Sequence, residues 1–400
     1  MNKKRKHVQG SQLSSRPDAA GSGHMNLVKP KVSLPVASEH YWPTEGWRTA
    51  APEAQGLDSA HLAETIDTFS ERNVNSMVII RKGYIVAEAY REGLNEISLQ
   101  DVKSVTKSFT SALTGIAIAD NKLPGATAAR VSDYFPEWSN VPLKGDVRVG
   151  HLLSMTSGLA WNNENEQSSH AMMAGENWVQ VILNHSPKYA PGMAFNYSNG
   201  DAHLMSALLH KATGESLLDY AKSRLFAPLG IRLVNWNHDP QGHTIGSWSI
   251  GISARDMAKL GLLYMKDGEW EGKTIIPKGW IQESLVKRVI LNHRDGLQGG
   301  YGYYWWSKPV SRALFDGDTK RYDAFYASGA DGQRVFVVPE LQLIVALTAS
   351  SSDPEMPEQL LSSIIRAKRA DKPLPEDAEA VAKLIAATQR FGRVTAGAGL

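Results

Sequence analysis

Two hydroxyl–amine pairs in this chain have the spacing that could make a serine nucleophilic: Ser104-Val105-Thr106-Lys107 and Ser284-Leu285-Val286-Lys287. Residues three apart on a helix share a face, so each lysine could sit beside its serine. A serine hydroxyl is almost wholly un-ionised near neutral pH, and acyl transfer requires a neighbour to take its proton. Lysine can do so only if burial or nearby charge lowers its pKa enough to leave some neutral amine. The spacing alone is a weak signal, and context separates the two cases. Ser284 falls within the helical pattern of residues 280–286, with no strand or turn to expose it, and reads as structural. Ser104 precedes Phe109, Leu113 and Ile116, whose spacing predicts a helix with one buried face starting close to the serine. At such an N-terminus the backbone dipole opposes the ammonium form, and free N–H groups point outward. That of Ser104 itself could hold an oxyanion.

A serine–lysine pair also needs a group that returns a proton to the leaving group. Tyr197-Ser198-Asn199 is the only Tyr-x-Asn in the sequence, in a loop between Pro191-Gly192 and a helix around Leu204. A tyrosine beside a lysine can have its phenol pKa drawn down and share the proton transfer.

These residues need a scaffold. Asp58 or Ser59 can cap a helix carrying Leu62, Ile66 and Phe69, and residues 77–80 and 84–90 read as a hairpin turned at Lys82-Gly83. Residues 126–290 are largely helical in pattern, punctuated by glycine and proline. After Gly302 the period becomes strand-like, in runs at 303–306, 324–327, 333–338 and 342–347, followed by a helix over 357–367. A weak helix near 378–387 is expected to fray afterwards. This pattern predicts an α+β fold, an antiparallel sheet flanked by helices with an inserted all-α lobe. The expected division is a leader or tag at 1–25, a sheet domain from 26–125 and 291–370, a lobe at 126–290 and a tail at 371–400.

Composition removes several alternatives. With 43 basic and 41 acidic side chains, nothing points to a nucleic-acid partner. The absence of cysteine excludes disulfides and thiolate chemistry. No run of 18 apolar residues exists, so no membrane span is expected. The basic start lacks an apolar segment of the signal-peptide kind, which reads as a cytoplasmic location. The 12 histidines show no close ligand spacing, so no metal or other cofactor is expected, and His203 and His210 read as helix surface. Trp305 and Trp306 read as core. Neither Ser-Asp-Asn nor Gly-x-Ser-x-Gly occurs.

Together, Ser104-x-x-Lys107 and Tyr197-x-Asn199 in this order resemble the serine β-lactamase and penicillin-binding protein superfamily, in its class C-like branch. Residues 152–159, Leu-Leu-Ser-Met-Thr-Ser-Gly-Leu, are similar to a segment of that branch. The third family motif, Lys-Thr-Gly on a strand, is altered: Ala327 stands where the lysine would be, while Ser328 and Gly329 fit the rest. The resemblance implies a β-lactamase/transpeptidase-like fold and catalytic Ser104, Lys107 and Tyr197. It further implies oxyanion donors at Ser104 and Ala330, and substrate contacts from Asn199, Trp161, Ser328 and Gly329. Losing the lysine removes a cation that holds the lactam carboxylate. Such departures are similar to those of family VIII carboxylesterases and 6-aminohexanoate-dimer hydrolases, whose Gly-Gln pair resembles Gly332-Gln333. A small-molecule ester is the expected substrate. An amide or lactam is the alternative, and a penicillin-binding sensor or non-catalytic scaffold is the reading from another class.

Overall fold

A computed structural model describes residues 41–292, 297–311 and 320–393; the expected leader at 1–25 lies outside the described residues. The principal sheet has nine strands: β1 (Arg48–Thr49), β2 (Val74–Arg81), β3 (Tyr84–Tyr90), β9 (Val289–Asn292), β10 (Gln298–Tyr301), β11 (Trp306–Ser311), β12 (Arg321–Ser328), β13 (Arg334–Val338) and β14 (Leu343–Ala349). Their order across the sheet is β1-β3-β2-β14-β13-β12-β11-β10-β9. Every pairing is antiparallel except β1 with β3. β2 and β3 form the expected hairpin, turned by Lys82 and Gly83 at φ +51° and +84°. Two successive left-handed residues match the twist of the flanking strands, and glycine takes the second place without strain.

Side-chain alternation divides the interior in two. Val78, Ile80, Val335, Val337, Ile344 and Ala346 face the larger core, shared with the helices of the middle section. Met77, Ile79, Phe336, Val338, Val345 and Leu347 face a second core. Helices α1 (Ser59–Ser70), α10 (Met356–Arg366) and α11 (Ala378–Phe391) cover that side. The last helix is longer and better anchored than its sequence suggests, because Leu384, Ala387 and Phe391 are buried against α1.

The middle section holds α3 (Val149–Leu153), α4 (Gln167–Ala174), α5 (Trp178–Asn184), α6 (Asn199–Thr213), α7 (Leu217–Ala221), α8 (Ala254–Met265) and α9 (Lys278–Leu285). Two smaller sheets add strands that the sequence pattern does not show. β4 (Gln100–Asp101) joins β6 (Ile250–Ile252) and β5 (Asn235–Trp236) in a small sheet, and β7 (Glu269–Trp270) pairs with β8 (Lys273–Thr274). Strands of two or three residues are too short to show alternation in a sequence. The run at 303–306 is likewise mostly a corner: the strand starts at Trp306, and Tyr304 turns at φ +62°.

Helix α2 (Thr106–Ala119) differs most from its pattern. One apolar face was expected, yet all of residues 106–117 are buried. Most of its polar positions are serines and threonines, several of which find internal acceptors, and that lowers the cost of burying them. Ser108 Oγ donates to Tyr304 O at 2.7 Å, and Thr110 Oγ1 donates to Gly246 O at 2.9 Å. The helix that follows Ser104 is therefore the axis of the larger core.

Candidate active site

The approach to Ser104 is a strand, a left-handed residue and a tight turn. Asp101 on β4 pairs with Gly251 on β6, and Val102 N donates to Ile250 O at 2.9 Å. Lys103 then takes φ +51° and starts the one-turn 3₁₀ helix Lys103–Val105, which runs into α2. Asp101 steadies this step, since its carboxylate accepts from Lys103 N and from Lys103 Nζ, each at 2.9 Å. Non-glycine residues avoid this conformation unless their surroundings enforce it. The end of β12 closes on the same turn. A β-carbon on Gly329 would lie 2.5 Å from Val102 O and 3.1 Å from Lys103 Cβ, so only glycine lets the strand approach. Ser104 and Ala330 both sit in the first turn of a 3₁₀ helix, where N–H groups have no partner within the helix.

Lys107 is 1% exposed and makes three polar contacts, each of 2.8 Å: Ser104 Oγ, Asn199 Oδ1 and Ser247 O. Burial lowers its pKa to about 7, against a smaller opposing pull from the Glu166 carboxylate. The contacts fix where its lone pair points. Asn199 Oδ1 and Ser247 O are acceptors only, so they take the two hydrogens of a neutral amine. The remaining lone pair then faces the Ser104 hydroxyl.

Tyr197 lies across Lys107, with its ring centre 4.8 Å from Nζ. Its pKa moves opposite to the sequence expectation. Burial pushes it up to about 12, and a hydrogen bond with Ser104 only partly opposes that rise. The cation that lowers it is the Arg334 guanidinium, whose pull burial outweighs. Tyr197 packs against Trp306 at 5.9 Å and Tyr301 at 6.3 Å between ring centres, and Phe195 packs on both of those rings. Trp306, expected in the core with Trp305, is instead half-buried beside the phenol.

The geometry joins Ser104, Lys107 and Asn199 by hydrogen bonds and lays the Tyr197 ring over the lysine. Gly329 and Ala330 adjoin the Ser104 turn, and Ser328 ends β12 just before them. Trp161 is placed differently, only 4% exposed and enclosed in the core. It packs on Gly200, where an added β-carbon would lie 2.3 Å from its ring, and so props the turn behind Asn199. Ala327 is fully buried in the larger core. Gln333, part of the Gly-Gln pair, exchanges hydrogen bonds with the backbone of Ala349 and fastens β13 to the end of β14.

Other neighbours had no signal in the sequence. Ser247 contributes a main-chain carbonyl, which no motif marks. Glu166 accepts from Asn199 Nδ2 at 3.2 Å and from Ser169 Oγ at 2.8 Å. Asp201, two residues after Asn199, is fully buried; burial raises its pKa to about 7, and Oδ2 has no hydrogen-bond partner. The placement of His203 on a helix surface is corrected: it is fully buried and meets Asp239 Oδ2 at 3.0 Å. Its seven-residue spacing from His210 gives no sign of that buried partner. Among the described residues no group of three or more His, Cys, Asp or Glu side chains could hold a metal ion, and no helix is long and apolar enough to cross a membrane.

Comparison with known proteins identifies the family and the fold. The Beta-lactamase family profile matches residues 62–368. The 6-aminohexanoate-dimer hydrolase of Paenarthrobacter ureafaciens is 20% identical over 330 residues, covering 77% of this chain and 81% of that protein. Among solved structures, EstCE1, a hydrolase with promiscuous acyltransferase activity, superposes with a TM-score of 0.62 at 16% identity, covering 78% of this chain and 99% of the other. The octameric penicillin-binding protein homologue from Pyrococcus abyssi gives 0.60 at 20% identity, with 79% and 78% covered. At these identities the two structural likenesses speak for the fold alone.

Proposed function

The chain belongs to the β-lactamase family, whose members are serine hydrolases, and from that premise we propose that it hydrolyses small carboxylic esters through an acyl-enzyme on Ser104. One observation carries this reading: two carbonyl acceptors on Lys107 leave its lone pair for Ser104. With the amine titrating near 7, a substantial neutral fraction exists at neutral pH.

Ser104 Oγ passes its proton to Lys107 Nζ as it bonds to the acyl carbon. The N–H groups of Ser104 and Ala330 hold the oxyanion. Tyr197, kept protonated by burial, gives its proton to the departing alkoxide as the acyl–oxygen bond breaks, and regains one from the Lys107 ammonium. Water then attacks the acyl-enzyme with the same groups acting in reverse. Asn199, Ser328 and Gly329 border the substrate.

Esters are favoured over lactams because Ala327 offers no cation for a lactam carboxylate. Likeness to the 6-aminohexanoate-dimer hydrolase supports a second reading, a linear amide as substrate. A short-chain nitrophenyl ester, a cephalosporin and a linear amide, each assayed with wild type and Ser104→Ala, separate these. Ester turnover that vanishes in Ser104→Ala supports the proposal. Absence of ester turnover, or turnover unchanged in the variant, removes it, and a persistent adduct in intact-protein mass spectrometry assigns the chain to a sensor instead.

A further inference from the structure

The Asn199 amide can sit either way round, and only one orientation serves the site. With Oδ1 toward Lys107 it takes a hydrogen from the amine; flipped, its N–H would compete with Ser104 for the lone pair. The far side of the amide decides between them. Asn199 Nδ2 donates to Glu166 Oε2 at 3.2 Å and to Ser169 Oγ at 3.0 Å, while Ser169 Oγ donates to the same Glu166 oxygen at 2.8 Å. A carboxylate only accepts. It therefore fixes the direction of every hydrogen bond from itself, through Ser169 and Asn199, to Lys107.

We propose that Glu166 is a positioning residue: its carboxylate holds the Asn199 amide with Oδ1 toward Lys107, and so keeps the lysine lone pair on Ser104. This rests on the acyl-enzyme reading given above. The main chain takes an uncommon path to bring Glu166 there, since Asn165 and Glu166 both have positive φ, +47° and +53°. L-residues seldom adopt that conformation twice in succession. Glu166 is solvent-exposed, so replacing it leaves the core intact.

The carboxylate has a second effect on Lys107, because its charge favours the ammonium form. The groups facing Nζ are Ser104 from its own helical segment, Tyr197 and Asn199 from the α6 approach, and the Ser247 carbonyl. Of these Tyr197 alone titrates, and it stays neutral below about 12. Glu166 is thus the charge that bears on the acid limb of activity.

The test is the pH profile of kcat/KM on a short-chain nitrophenyl ester for wild type, Glu166→Gln and Glu166→Asp, with melting temperatures measured alongside. Glutamine can donate as well as accept, so the amide loses its preferred orientation, and the plateau is expected to fall roughly tenfold. Loss of the negative charge should move the acid limb to lower pH, while Glu166→Asp should recover part of the plateau and keep the limb in place. A limb that does not move, or a plateau that does not fall, overturns the assignment whatever the melting temperature. Ser104→Ala keeps the two claims apart. If it retains turnover, the acyl-enzyme reading itself fails; if it is inactive and Glu166→Gln matches wild type, only the role of Glu166 fails.

Discussion

Ser104-Val105-Thr106-Lys107 and Ser284-Leu285-Val286-Lys287 have the same spacing, and the folded chain treats them in opposite ways. Ser104 stands at a helix start, with Lys107 buried beneath it and bonded to two carbonyls. Ser284 lies inside α9, fully buried, and turns its hydroxyl back to Ile281 O at 3.0 Å. Lys287 lies beyond the end of that helix, exposed to water, with its stem against Gly300. A hydroxyl and an amine three residues apart become chemistry only when the amine is desolvated and its hydrogens are committed elsewhere. The first pair meets both conditions and the second meets neither.

Paired substitutions test that contrast. The largest effect is expected for Ser104→Ala, which should lower ester kcat/KM by roughly 10⁴-fold or more, while Ser284→Ala leaves it within about twofold. Next, Lys107→Met should cost about 10³-fold through loss of the base, and Lys287→Met should cost nothing measurable. Comparable losses in the two lysine variants would break the comparison. Tyr197→Phe should cost about 10²-fold, and less with a nitrophenyl ester than with an alkyl ester, whose leaving group needs the proton more.

Stability gives a smaller and independent reading. Lys107 titrates near 7 when folded, against an ordinary value of 10.5, so between those values the unfolded chain binds more protons and this residue makes stability rise with pH. Asp201 behaves in the opposite sense: raised from 3.8 to about 7, it binds a proton more tightly when folded, and its contribution is lost as pH rises through 7. Denaturant titrations should show Lys107→Met gaining stability relative to wild type most strongly at and below pH 7. Asp201→Asn should gain most above pH 7. Matching shifts at both ends of the range would mean that neither group titrates as its burial requires.

The sequence carried the parts of this site that are written as side chains at fixed spacing. Ser104, Lys107, Tyr197 and Asn199 can be named because their types and order are informative, and β2, β3, β12, β13 and β14 can be placed because they are short β-branched and aromatic runs bounded by turn residues. What stayed hidden was made of other material. The Ser247 carbonyl belongs to a backbone group that every residue has, and Glu166 reaches Asn199 through two left-handed residues that no composition rule marks. The rise of the Tyr197 pKa comes from packing against rings of β10 and β11, which only the folded chain brings to it. Helix α2 has a one-sided pattern because its serines and threonines look like a wet face until their internal acceptors are seen.

The central claim is that a neutral Lys107 activates Ser104, and the rate at which a fluorophosphonate labels the protein, followed by peptide mapping across pH, tests it most directly. The account predicts a single adduct on Ser104, forming at a rate that rises with pH through about 7 and collapses in Lys107→Met. Labelling at another serine, or labelling of Ser104 at a rate indifferent to both pH and Lys107, would contradict it.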